Sequence, residues 1–189
     1  MKREFRAIVI GASAGGFGAL KTIFGLLRED LPVPILIVQH MSPGTSDFMA
    51  RHLNSVSKMN VKEADEKESL MAGTAYIAPP NYHLLVESDR TISLSVDERV
   101  NYSRPSIDVL FESASEVFGD ALIGIVLTGA NSDGSAGLKK IKEAGGLTVV
   151  QDPCCAEVPA MPQAALSAVG KPDHVLVLEK IANLLNRIC

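Results

Sequence analysis

The sequence has few cysteines, no excess of positive charge and no long apolar run, and each absence narrows what the chain can be. Cys154, Cys155 and Cys189 form neither a disulfide framework nor a C-x-x-C pair, which excludes a disulfide scaffold and points to the cytoplasm. A net charge of −4 argues against nucleic acid, which calls for a basic face. No uninterrupted apolar run approaches the roughly 20 residues that cross a bilayer, so no membrane insertion is expected. The opening Met1-Lys2-Arg3-Glu4-Phe5-Arg6 is basic, but the stretch after it enters a glycine turn at once, unlike a signal peptide. The glycines miss G-x-G-x-x-G, no G-x-x-x-x-G-K-[ST] occurs, and the four histidines lack metal-ligand spacing. No organic cofactor or metal is expected. Repeats, linkers and low-complexity segments are also missing.

What remains is an ordinary globular composition, 47% hydrophobic and 21% charged, in 189 residues. That length suits one domain over 1–189 with a full α/β core. Its organising stretch is Ile8-Val9-Ile10-Gly11-Ala12-Ser13-Ala14-Gly15-Gly16. Three β-branched residues in a row read as a buried parallel strand, and the glycines as a sharp turn into a helix starting near Gly16 or Phe17. Ser13 therefore stands at a strand's carboxyl end and just before a helix's amino end, where ligands bind in open α/β sheets. Gly11-Ala12-Ser13-Ala14-Gly15 fits the G-x-S-x-G nucleophile pattern.

Phe17, Leu20, Ile23, Phe24 and Leu27 recur at helical spacing. Pro34 opens a second buried run, Ile35-Leu36-Ile37-Val38, which ends in Gln39-His40-Met41. A helix after Ser42-Pro43-Gly44-Thr45 carries Phe48, Met49, His52 and Leu53. From about 61 to 96 the pattern changes. Thr74–Ile77, His83–Val86 and Ile92–Val96, separated by turn residues, predict an antiparallel meander inserted into the parallel sheet or attached to its edge. Pro105 falls near the start of a helix bearing Ile107, Leu110, Phe111 and Ala114. Ala121–Leu127 is a third buried strand and runs into a second glycine-rich turn, Thr128-Gly129-Ala130-Asn131-Ser132-Asp133-Gly134. Further helices and strands follow to Cys189. The fold class is α/β, a doubly wound, mostly parallel sheet with a small antiparallel excursion.

Ser13, His40 and Asp133 thus gather at the carboxyl edge of the sheet. A serine needs a base to become nucleophilic, histidine titrates near neutrality, and a carboxylate orients its ring. The order Ser…His…Asp, with the serine after the first strand, differs from the Ser…Asp…His of α/β-hydrolases. The backbone N–H groups of Ala14 and Ala130 are the candidate oxyanion donors. Ser13 could instead belong to a nucleotide-binding turn, but the second strand ends in Gln39-His40 rather than a ribose-binding acid. Asp133 could be only a helix N-cap. His52, His83 and His174 read as structural, Cys154 and Cys155 as ordinary thiols, and Lys139, Lys140 and Lys142 as a solvent face. Arg104 could contact an acidic partner or be structural.

The chain resembles the catalytic domain of the chemotaxis protein-glutamate methylesterases (CheB type). The likeness rests on Ile10–Gly16, Val38–Met41, Ala78-Pro79-Pro80, Arg104–Asp108, Leu127–Gly137, Gln151-Asp152-Pro153 and Met161-Pro162, in order over nearly the whole chain. It implies Ser13 as nucleophile, His40 as general base and Asp133 as orienting acid. It also implies hydrolysis of glutamate γ-methyl esters on the cytoplasmic domain of methyl-accepting chemoreceptors, and deamidation of receptor glutamines. Full-length members carry an N-terminal receiver domain; this chain begins at the catalytic strand, so such control is expected to be absent or to come from a separate receiver protein. Ala130 and Asn131 stand where the family commonly has Met and Gly, and Gln163 where arginine is expected. Two other readings are a catalytically idle receptor-docking module and an esterase for another methylated protein.

Overall fold

The computed structural model describes residues 4–41 and 46–189, with side chains from residue 48 onward in the second stretch. The first apolar run folds as β1 (Ala7–Ala12), followed by α1 (Gly16–Leu26) and β2 (Ile35–Gln39). Next come α2 (Ser46–Val56), β3 (Asn60–Glu63), β4 (Thr74–Ile77), β5 (His83–Val86) and β6 (Ile92–Ser95). The second half is α3 (Ile107–Phe118), β7 (Leu122–Val126), α4 (Ser135–Glu143), β8 (Leu147–Gln151), α5 (Ala160–Val169), β9 (His174–Leu176) and α6 (Leu178–Ile188). The expected turn Ser42–Thr45 lies outside the described residues.

Among the described residues, seven strands form one sheet in the order β3-β4-β2-β1-β7-β8-β9, every pair parallel. β1 lies between β2 and β7 and is buried throughout. Both faces of the sheet are covered, which is why its strands read as unbroken apolar runs. Ile8 and Ile10 point into a core shared with α1, α2 and α6. Val9 points to the opposite face, where Leu110, Phe111, Leu138 and Ala165 bring α3, α4 and α5 together.

The antiparallel excursion is smaller than the sequence predicts. Only β5 and β6 pair antiparallel, as a separate two-stranded sheet. Thr74–Ile77, expected in that meander, is instead a parallel strand hydrogen-bonded between β2 and β3. The reason is burial: Ala75, Tyr76 and Ile77 are covered on both sides, Ala75 and Ile77 by one core and Tyr76 by the other. β3 itself has no counterpart in the predicted strands.

The strand order places the functional edge. The chain runs from β1 outward through β2 on one side and returns to β7 on the other, so its direction switches at β1. At such a switch the loops leaving the two neighbouring carboxyl ends diverge to opposite faces and open a crevice. The Ser13 and Asp133 turns leave β1 and β7, and His40 follows β2.

Candidate active site

Strand register brings the predicted residues together. Ala12 is opposite Gln39, and the His40 N–H donates to the Ala12 carbonyl at 3.0 Å, so Ser13 and His40 follow neighbouring strands side by side. The Ser13 N–H donates across the switch point to the Thr128 carbonyl at 3.0 Å. Buried Gln39 stitches the first two turns, its Nε2 donating to the Ser13 carbonyl at 2.7 Å and to the His40 carbonyl at 2.9 Å. The Thr128 hydroxyl donates to the Ala14 carbonyl at 2.9 Å, and the Thr128 N–H is held by Gln151 Oε1 at 2.8 Å. These bonds fix the two glycine-rich turns relative to each other.

Glycine is required in both turns. Gly15 has φ 76°, the left-handed region, and the Glu157 side chain lies across it. A Cβ on Gly129 would fall 2.6 Å from Met161 Cε and 2.9 Å from Ser13 Cβ, so the β7 turn passes directly against the Ser13 side chain. The Gly129 N–H is taken by the Val158 carbonyl. Among the described residues, the N–H groups of Ala14 and Ala130 have no hydrogen-bond acceptor, and the Ser13 hydroxyl has no partner.

His40 Nε2 meets Asp133 Oδ2 at 2.9 Å, with the His40 side chain 14% exposed and Asp133 fully buried. An ionised carboxylate only accepts, so Nε2 carries the proton and Nδ1 presents its lone pair. Asp133 is surrounded by donors. Its Oδ2 also accepts from the Ile107 N–H at 2.7 Å, and its Oδ1 from Ser106 Oγ and Asn101 Nδ2, each at 2.8 Å. Burial alone would raise its pKa. The hydrogen bonds from His40, Asn101, Ile107 and Ser106 outweigh burial and hold it below the ordinary carboxylate value. Asp133 is therefore not the cap of its own helix α4, whose N-cap is Gly134; it accepts at the amino end of α3, where the helix dipole also favours a negative charge.

Asn101 is a site residue that the sequence reading missed. Its Nδ2 also donates to Asp108 Oδ2 at 2.8 Å, bridging two carboxylates. Asp108 is pushed the other way: burial is the main cause, and the neighbouring Asp133 charge adds to it. Asp108 Oδ1 accepts from the Gly137 N–H at 2.7 Å and so joins α3 to α4. Asn131 also reaches the site. Its Oδ1 accepts from the Asp133 N–H at 3.2 Å, and its Nδ2 lies 3.5 Å from His40 Nδ1.

The remaining candidates separate from the site. His83 is buried, with Nδ1 accepting from the Ser106 N–H at 3.2 Å and Nε2 facing the Glu98 carbonyl at 3.0 Å. His52 packs on Phe17 and Phe48. Arg104 is partly structural, with Nη1 donating to the carbonyls of Val96 and Asp97. Gln163 is exposed on α5. Cys154 and Cys155 are exposed free thiols, and the Asp152 charge raises the pKa of Cys154. Lys140 and Lys142 lie on the outer side of α4 and pair with Glu112 and Asp173. Among the described residues no group of His, Cys, Asp and Glu could hold a metal ion. No helix among them is long and apolar enough to cross a membrane.

A model of the CheB methylesterase family matches residues 8–185. A protein of Leptospira interrogans, provisionally named protein-glutamate methylesterase/protein-glutamine glutaminase, is 56% identical over 185 residues, 98% of this chain and 95% of its own length. A Pyrococcus horikoshii protein-glutamate methylesterase/protein-glutamine glutaminase is 41% identical over 178 residues, covering 93% of this chain but 48% of the relative. The chain thus spans nearly all of the first relative and about half of the second. The crystal structure of the Thermotoga maritima CheB methylesterase catalytic domain aligns with a TM-score of 0.94 at 33% identity, covering 98% of this chain and 100% of that one.

Proposed function

The chain belongs to the CheB methylesterase family, and from that premise we propose that it hydrolyses glutamate γ-methyl esters on the cytoplasmic domain of chemoreceptors, with Ser13, His40 and Asp133 as its catalytic groups. The observation that carries this reading is the 2.9 Å bond between His40 Nε2 and buried Asp133, on a histidine placed beside a serine with an unengaged hydroxyl.

Ser13 Oγ attacks the ester carbonyl while His40 Nδ1 takes its proton. Asp133 holds the Nε2–H and stabilises the imidazolium that forms. The ring is thus used in the sense opposite to trypsin-like sites, where Nε2 faces the serine. The tetrahedral oxyanion is received by the N–H groups of Ala14 and Ala130, which come from the turns after β1 and β7. Preorganised donors of this kind contribute about 3–4 kcal/mol each to transition-state stabilisation. Collapse breaks the bond to methoxide, which leaves as methanol with the proton from His40. Water then attacks the acyl-serine by the same route and releases the glutamate carboxylate. The same groups would convert a glutamine side chain to glutamate with loss of ammonia, the second activity in the relatives' names.

In this reading residues 1–189 act as one catalytic domain in the cytoplasm. The test is mass spectrometry of a methylated chemoreceptor cytoplasmic fragment after incubation with the protein. Conversion of methyl-glutamyl residues to glutamate supports the reading, and an unchanged fragment contradicts it for that receptor.

A further inference from the structure

The loop that donates Asn101 to the catalytic acid also forms one wall of a cleft of about 300 Å³ that opens beside His40. Its tip is a tight turn. The Val100 and Ser103 backbones exchange hydrogen bonds, N–H to carbonyl, at 3.2 and 2.9 Å, and both central residues, Asn101 and Tyr102, have positive φ, 53° and 62°. This is the arrangement of a type I′ turn, whose second central position favours glycine. A tyrosine is there instead, 96% exposed and unsupported by packing. Stability does not explain that choice, because a bulky side chain at positive φ costs on the order of 1 kcal/mol. The Asn101 bridge to Asp133 and Asp108 holds the turn rigid, so Tyr102 is presented in a fixed position at low entropic cost.

The charge of the cleft is opposite to that of the whole chain. Arg99 and Arg104 line it, whereas the chain carries a net −4. No carboxylate lines it among the described residues; Asp97 and Glu98 precede Arg99 in the loop but are outside its walls. Arg104 is tied to backbone carbonyls. Arg99 is exposed and makes no ion pair or hydrogen bond among the described residues. An unpaired arginine beside an exposed, rigidly held tyrosine is the composition of an interface anchor.

We propose that the Arg99–Arg104 turn is the substrate-docking element of this site, and that Arg99 and Tyr102 select a protein segment bearing carboxylates next to the reacting glutamyl side chain. The inference rests on the hydrolase reading above and adds to it the chemistry of the recognised segment. Charge complementarity decides the occupant: an acidic strand or helix gains from Arg99, and a basic one is repelled.

The test is peptide binding by the full chain carrying Ser13→Ala, which reads docking without turnover. Two labelled peptides with a central glutamine are compared, one flanked by glutamates and one by lysines. The acidic peptide is expected to bind at least about tenfold more tightly at low salt. Arg99→Glu is expected to reverse that preference. Tyr102→Gly is expected to weaken binding of the acidic peptide several-fold while raising the melting temperature, since glycine relieves the left-handed backbone. Equal affinity for the two peptides, no detectable binding of either, or full affinity in Tyr102→Gly overturns the proposal. Failure of the hydrolase reading is seen separately, as absence of ester hydrolysis by the parent enzyme.

Discussion

Asp133 caps a helix that begins 26 residues before it: its Oδ2 accepts from the Ile107 N–H at 2.7 Å while the same oxygen meets His40 Nε2 at 2.9 Å. One carboxylate oxygen therefore serves the fold and the proposed chemistry together. Asp133→Ala is expected to lower both. Leaving buried donors unpaired costs on the order of 1–3 kcal/mol each in unfolding free energy. Asp133→Asn keeps the shape but loses the acceptor that fixes the histidine tautomer, and kcat should fall about 10⁴-fold. Urea unfolding and ester hydrolysis on both variants check the two effects.

The pKa of Asp133 gives this stability a pH dependence of defined sign. Burial opposes ionisation, but the donors around it win, and the folded pKa lies below the ordinary 3.8. The unfolded chain then binds the proton more readily, so the contribution is fully present above the ordinary carboxylate value and is lost as pH falls through the lower folded value. The stability advantage of the parent over Asp133→Asn is expected to be constant near neutrality and to shrink in acid. Urea midpoints measured across that range read the trend directly.

Asn101 is expected to act as a positioning residue. Asn101→Gly preserves the positive φ and removes the amide, whereas Asn101→Asp preserves φ and places a third carboxylate against Asp108 and Asp133. We expect kcat to fall about tenfold in the glycine variant and further in the aspartate variant, following the loss of a charge-assisted hydrogen bond and then added repulsion. The downfield NMR resonance of the His40 Nε2 proton should shift in both. A loop displaced without effect on Asp133 would leave that resonance in place.

Much of this site was legible in the sequence because its residues follow strands that are buried on both faces. Ile8–Ile10, Ile35–Val38 and Leu122–Val126 can be read as central parallel strands from apolar continuity alone, and Ser13, His40 and Asp133 stand just beyond them. Thr74–Ile77 was misplaced because Thr-Ala-Tyr-Ile alternates like a half-exposed strand, and only the packing of Tyr76 reveals its second buried face. Asn101 carried no local signal. Its role depends on a backbone conformation and on two carboxylates, one of them, Asp133, distant in sequence, and Asn-Tyr lacks the glycine that marks a type I′ turn.

Asn131 stands where the resemblance implies glycine, and its Nδ2 lies 3.5 Å from His40 Nδ1, the nitrogen proposed as the base. An amide donor there competes with the Ser13 hydroxyl for that nitrogen. Asn131→Gly is expected to raise kcat about two- to threefold with little change in KM, an effect of a few tenths of a kcal/mol. Steady-state kinetics on one ester substrate suffices.

Gly129→Ala tests how tightly the β7 turn packs on Ser13. The added methyl would fall 2.6 Å from Met161 Cε and 2.9 Å from Ser13 Cβ, which forces one of them to move. Overpacking of this kind costs about 1–3 kcal/mol. Displacement of Ser13 by even a fraction of an ångström should also reduce kcat by at least about tenfold. A melting curve and a rate measurement on the same preparation separate the two.

The proposed esterase is tested most directly by methanol release from a methylated chemoreceptor cytoplasmic fragment, measured for the parent protein and for Ser13→Ala. Release by the parent and loss of release in Ser13→Ala are expected, with an unchanged circular dichroism spectrum. Release by Ser13→Ala at the parent rate would contradict the assignment of the nucleophile, and no release by the parent would contradict the chemoreceptor esterase.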